Sequence, residues 1–190
     1  MTLPIATERL LLRRFTEGDI PDLLEFLADP SVRGAVPEIE PTEAGARQYV
    51  TRQAALQPFV EDQCFDLALE RRADGKVVGL LTLVRRDSYQ AEIGWALGVD
   101  HRGRGYATEA ATALMIYGFT SLGLHRIQAG TRVANAGSWK VMERLGMRRE
   151  AHMREVECQD GAWQDAVIYA ALADEWLARE ESKVPKRSSE

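Results

Sequence analysis

With 190 residues, 45% of them hydrophobic, the chain has enough apolar mass for one buried core. One domain over residues 1–180 is expected, with a polar, disordered tail over 181–190. A formal net charge of −5 argues against non-specific nucleic-acid binding, no apolar run approaches the length of a membrane span, and the first eight residues lack a signal-peptide layout. A cytoplasmic protein that engages neither nucleic acid nor membrane is therefore expected. Two distant cysteines, Cys64 and Cys158, read as free thiols, with a disulfide left open, and His101, His125 and His152 lack ligand-like spacing, so no metal site is expected.

Along the chain, residues 9–14 look like a first strand. Thr16 then caps a helix over 17–28, in which Ile20, Leu23, Leu24 and Leu27 follow helical spacing, and Asp29-Pro30 must end it. A loop spans 30–41, and Thr42 opens a second helix reaching about Leu56. Strands over 65–70 and 77–84 flank the Ala73-Asp74-Gly75-Lys76 turn as a hairpin, and a third follows over 90–99. After a glycine-rich turn, a helix runs to about Thr120; its Ala107, Ala110, Ala111, Leu114 and Gly118 form a mostly small-residue face suited to close packing on a sheet. A strand over 126–133 precedes a short helix capped near Gly137 or Ser138 and stopped by Gly146. Strands over 148–157 and 163–172 flank Gln159-Asp160-Gly161, and a helix over 174–179 closes the domain. This order is α+β with a mixed sheet.

The stretch His101-Arg102-Gly103-Arg104-Gly105-Tyr106-Ala107-Thr108-Glu109-Ala110 carries the most chemistry. Glycines at a strand-to-helix turn let the backbone approach a ligand, and the helix that follows aims free N–H groups and its positive dipole end at the same spot. With two arginines beside it, the turn is an anion site suited to a diphosphate. No Lys-Ser or Lys-Thr follows Gly105, so it is not a Walker loop, and Thr108 stands where a dinucleotide fingerprint needs its third glycine. Residues 100–154 hold nine Lys or Arg against four acids, +5 in a chain of net −5, a segregation that fits a polyanionic ligand or an ordinary solvated surface.

Three motifs in order carry a family resemblance. Arg102-x-x-Gly105-x-Ala107 resembles the coenzyme A pyrophosphate loop of the GCN5-related N-acetyltransferases (GNAT). Asn135-Ala136-Gly137-Ser138, with a helix ending in Leu145-Gly146-Met147, resembles that superfamily's second motif, Met147 replacing the more usual phenylalanine. Upstream, Glu92-Ile93-Gly94-Trp95 resembles the Glu-Ile-Gly-Tyr strand of the RimJ/RimL-type ribosomal-protein branch. The resemblance covers roughly residues 7–177 and implies the GNAT acyl-CoA N-acyltransferase fold, a mixed, mostly antiparallel sheet flanked by helices. It also implies a V-shaped split between two central strands as the cofactor slot.

What it implies chemically is transfer of an acetyl group from acetyl-CoA, as cosubstrate, to a primary amine. Cofactor contacts are expected from Arg102, Gly103, Arg104, Gly105, Tyr106, Ala107 and Thr108, from the backbone of Leu97 and Val99, and from Asn135. Glu92, a carboxylate on the strand face it shares with Gly94 and Ala96, is the expected general base, its pKa raised by partial burial. A backbone N–H near Gly94 or Trp95 would polarise the thioester carbonyl. The tyrosine that many relatives use as acid is absent from 138–147; Ser138 resembles the serine of the RimL-like branch, while helix capping explains it equally well. Acidic residues Glu38, Glu40, Glu155, Glu157, Asp160 and Asp165, with Trp163, are expected to flank the acyl end and suit a cationic acceptor, a protein N-terminus or a small amine. A non-catalytic acyl-CoA-binding or sensing module and a small-molecule (polyamine- or antibiotic-type) acetyltransferase are the alternatives, and monomer and homodimer both stay open.

Overall fold

The computed structural model describes residues 3–159 and 161–183. Its strands are β1 (Ile5–Ala6), β2 (Leu10–Arg13), β3 (Phe65–Arg71), β4 (Val77–Arg85), β5 (Gln90–Leu97), β6 (Arg126–Arg132), β7 (Arg148–Gln159) and β8 (Ala162–Leu172). The helices are α1 (Ile20–Leu27), α2 (Pro30–Arg33), α3 (Glu43–Ala55), α4 (Tyr106–Thr120), α5 (Ala136–Arg144) and α6 (Ala173–Lys183). The strands form one sheet in the order β1-β2-β3-β4-β5-β6-β8-β7. Every pairing is antiparallel except β5 with β6. That parallel pair needs a crossover, and α4 supplies it.

Both faces of the sheet centre are covered, which is why β3 is buried from Phe65 to Leu69 and β4 from Val77 to Leu81. Under α4, α5 and α6 lie Phe65, Leu67, Leu81, Leu83, Ile93 and Ile127, packed with Leu114, Met115 and Trp176. The alternate residues, Ala68, Leu80 and Ala96, face Leu23, Leu27, Tyr49 and Val50 of α1 and α3. Ala107, Ala110, Ala111 and Leu114 are all buried, so the small-residue stripe of α4 lies against the sheet as its composition implied.

The departures from expectation have local causes. Residues 30–33 are helical rather than loop: Asp29 ends α1 and also caps α2, its carboxylate accepting from the Ser31 N–H at 2.8 Å, with Pro30 in the first turn where its missing N–H costs nothing. The third long strand stops at Leu97 instead of running to 99, because Val99–His101 coil into a 3-10 turn. The short helix is capped by Asn135 rather than Gly137 or Ser138, its side chain accepting from the Ser138 N–H. Strand β1 has two residues, too few for a periodic signal. Helix α6 extends through Lys183, so only 184–190 of the tail expected to be disordered, together with Asp160 of the last turn, lie outside the described residues.

Candidate active site

Strands β5 and β6 pair at three positions, Gln90 with Arg126, Ala91 with Ile127 and Glu92 with Gln128. Beyond them the two strands part. β5 stays bonded to β4 as far as Leu97, and β6 to β8 as far as Arg132. The result is a wedge-shaped gap in the sheet, closed at Glu92 and open toward the ends of both strands.

The glycine-rich turn leaves β5 at the open end. Gly103 and Gly105 hold φ of 74° and 83°, the left-handed region that L side chains rarely adopt, and Gly105 is the N-cap of α4. Nothing stands within 4 Å of where a Gly103 Cβ would be, so the backbone lies open to a ligand. The first turn of α4 leaves the N–H groups of Tyr106, Ala107 and Thr108 without helical acceptors; Glu109 is the first to reach back, to the Gly105 carbonyl at 3.0 Å. Arg102 and Arg104 are exposed beside these amides, and Arg102 Nε also donates to the Leu97 carbonyl at 3.1 Å, tying the turn to the end of β5. Donors, dipole and guanidinium groups thus converge on one spot.

Two residues not anticipated from the sequence brace this turn. Arg9 donates to the Arg104 carbonyl at 2.9 Å, pairs with Glu109 at 2.6 Å and stacks over Tyr106 at 4.8 Å from the ring centre. Glu109 in turn accepts from Thr7 Oγ1 and the Arg9 N–H. Burial opposes ionisation of Glu109, but the bonds from Thr7 and Arg9 outweigh it and hold the carboxyl below its ordinary value. Arg9 reads in sequence only as the start of a strand, one hundred residues from its partner; no local pattern joins the two.

Across the gap, the end of β6 leads to Asn135. Its Oδ1 accepts from the Ser138 N–H at 3.2 Å and its Nδ2 donates to Ser138 Oγ at 3.1 Å. The first bond fixes the orientation of the amide, so Ser138 Oγ acts as acceptor toward Asn135 and its own proton is left to donate elsewhere. At the closed end, Glu92 shares the α1–α3 face with Gly94 and Ala96, as the strand alternation predicts. Its carboxylate is 38% exposed and pairs with Arg86 at 2.9 Å. Such an exposed pair is worth about 0–1 kcal/mol, so an incoming cation can displace the guanidinium.

The expected acidic rim is partly occupied by internal contacts. Asp165 bonds the Glu155 N–H and His152, which hold its carboxyl below the ordinary range, and Glu157 lies 3.8 Å from Arg132. Glu38 and Glu40 are exposed, as is Trp163. Cys64 and Cys158 are both free. A depression of about 440 Å³ adjoins the turn on the β4 side, but Asp22, Glu25, Asp29 and Asp100 line it and would repel a polyphosphate.

Residues 9–148 match the acetyltransferase (GNAT) domain model, nearly three quarters of the chain. The chain is a member of the GNAT acetyltransferase family. Its relatives include the uncharacterized N-acetyltransferase YnaD of Bacillus subtilis, 32% identical over 90% of this chain and 98% of that protein. The [ribosomal protein uS5]-alanine N-acetyltransferase of Escherichia coli is 24% identical over 90% of this chain and 92% of its own length. Among solved structures, a GNAT acetyltransferase from Bacillus anthracis superposes with a TM-score of 0.80 at 31% identity, covering 90% of this chain and 99% of that one. This protein is accordingly an N-acetyltransferase with the GNAT fold. GNAT acetyltransferases generally use acetyl-CoA, and the open, donor-rich turn has the chemistry a diphosphate requires.

Proposed function

We propose that this GNAT enzyme transfers the acetyl group of acetyl-CoA to a primary amine, a protein N-terminal α-amine being the first candidate. The observation that carries the reading is the parting of β5 from β6 directly beside the amide-lined turn, which offers one continuous path for pyrophosphate, arm and thioester. Acetyl-CoA supplies the activated acyl group. The N–H groups of the 103–108 turn, with Arg102 and Arg104, would hold its diphosphate through charge-assisted hydrogen bonds. Backbone groups of Leu97, at the gap edge of β5, and of Val99 would hold the arm, and Asn135 would close it from the far side.

At the closed end, Glu92 accepts the ammonium proton in this reading, directly or through water, exchanging Arg86 for the substrate. Ser138, whose proton is left free by its bond from Asn135, donates toward the departing sulfur. The relative named as a [ribosomal protein uS5]-alanine N-acetyltransferase supports a protein amine as acceptor, and the composition supports a cytoplasmic setting. The test follows thiol release from acetyl-CoA in the presence of a short peptide with a free N-terminal alanine. Acceleration by the peptide is expected, with turnover in Glu92→Gln falling about 10²-fold or more and acetyl-CoA affinity kept. Unchanged turnover in that variant would remove Glu92 from the base role.

A further inference from the structure

A connected polar network lies under the α1–α3 face of the sheet, and the proposed chemistry makes no use of it. Asp66, in the middle of β3, is 2% exposed. Its Oδ2 accepts from Tyr49 Oη at 2.7 Å and Gln53 Nε2 at 2.9 Å, and its Oδ1 accepts from Thr82 Oγ1 at 2.5 Å. Cys64 Sγ lies 3.8 Å from Oδ1, and Gln53 Oε1 accepts from the Asp66 N–H at 3.1 Å. All these hydrogen-bond partners are neutral; the positive charge acting on the carboxylate is that of Arg52, which lies over the Tyr49 ring and makes no bond to Asp66. A carboxylate so placed is costly in a protein interior unless a cation can approach it. Burial pushes the Asp66 carboxyl upward against the bonds from Thr82 and Tyr49 that pull it down.

The sheet register shows where a cation could come. Asp66 stands opposite Thr82, and Thr82 opposite Gly94. Leu81 and Leu83 on either side of Thr82 are buried, but Thr82 is partly exposed. A Cβ at Gly94 would find only the Thr82 Cβ, at 3.8 Å, so the space above Gly94, beside Thr82, is open. A threonine hydroxyl has one proton, and Thr82 gives it to Asp66. What Thr82 presents to the open space is therefore lone pairs only. Glu92 lies on the same face, two residues along β5 from Gly94.

We propose that Thr82, oriented by Asp66, forms the acceptor-ammonium subsite of this acetyltransferase: its oxygen accepts a hydrogen bond from the incoming primary ammonium group, with the Glu92 carboxylate on the same face of the sheet. Thr82 is the binding residue and Asp66 a positioning residue behind it. The subsite selects donors over acceptors, and cations over neutral groups. This rests on the reading of the β5–β6 gap as the acyl site.

The test compares wild type, Thr82→Val and Thr82→Ser, with a free-N-terminal alanyl peptide and with spermidine as acceptors. Valine keeps the β-branched shape the strand requires, and serine restores the hydroxyl. Thr82→Val is expected to raise KM for the accepted amine about tenfold, the loss of one hydrogen bond to a charged group, with a smaller effect on kcat. Its affinity for acetyl-CoA by calorimetry should stay within about twofold, since the cofactor contacts lie elsewhere. Thr82→Ser should return KM to within about threefold of wild type, and Asp66→Asn, where it folds, should raise KM as Thr82→Val does. A wild-type KM in Thr82→Val, a parallel loss of acetyl-CoA affinity, or failure of serine to rescue would overturn the subsite. So would wild-type protein that binds acetyl-CoA yet accepts neither amine. Absence of acetyl-CoA binding altogether would instead bring down the gap reading and this proposal with it.

Discussion

Gly105 shows how much one residue can decide. Its φ of 83° starts α4 in a conformation that costs an L residue about 1–2 kcal/mol, and a Cβ there would lie 3.3 Å from Arg9 Nη2, the guanidinium that braces the turn. Gly105→Ala is expected to lower stability by about 1–2 kcal/mol in urea unfolding and to weaken acetyl-CoA binding by roughly tenfold. Gly105→Glu adds bulk and negative charge at the phosphate position and should abolish binding; normal affinity in that variant would contradict the assignment of the turn. The sequence announced this turn because glycine spacing reports backbone geometry directly. It was silent on Asp66, which in the run Phe65-Asp66-Leu67-Ala68-Leu69-Glu70 looks like the polar side of an alternating strand. Only the helix packed above it, with Tyr49 and Gln53 turned inward, makes that position an interior one.

Among the elements, the junction of β2 with α4 controls the shape of the turn. The chain around Thr7 and Arg9 grips Glu109 in the first turn of α4, where a carboxylate also complements the helix dipole. The folded-state pKa of Glu109 lies below its unfolded value of about 4.3, so this stabilisation is present above that pH and is lost as pH falls through the lowered folded value. Glu109→Gln should be less stable than wild type by about 1–2 kcal/mol at pH 7, with the two stability curves converging as pH falls through that lowered value. Denaturant midpoints measured across that range check it, and parallel curves would refute the role. Most elements were readable from periodicity and caps; the misses were two short elements, β1 and α2, and the ends of the longer ones. Asp29-Pro30 signalled a break but not that a second helix starts on the same residue. The parting of β5 and β6 was expected only through the family resemblance, because register over three pairs leaves no trace in composition.

At the scale of the molecule, the surplus of positive charge over residues 100–154 divides into two uses. Arg126, Arg132 and Arg148 pair with Glu150, Glu157 and Glu175, so part of the block ties β7 to β6 and to α6. Arg102 and Arg104 stay with the turn, one on each side of Gly103. The helices lie on both faces of a sheet whose one parallel pair opens into a gap, and every group assigned to the cofactor stands at its mouth or along its edges. The account therefore depends most on that gap being the site of acetyl-CoA. Calorimetric titration of the purified protein with acetyl-CoA, with ATP and NAD as controls, tests this directly. Saturable binding of acetyl-CoA, with neither control bound, is the predicted result. Binding of ATP or NAD without acetyl-CoA would mean that the turn serves a different phosphate ligand and that the gap is not an acyl site.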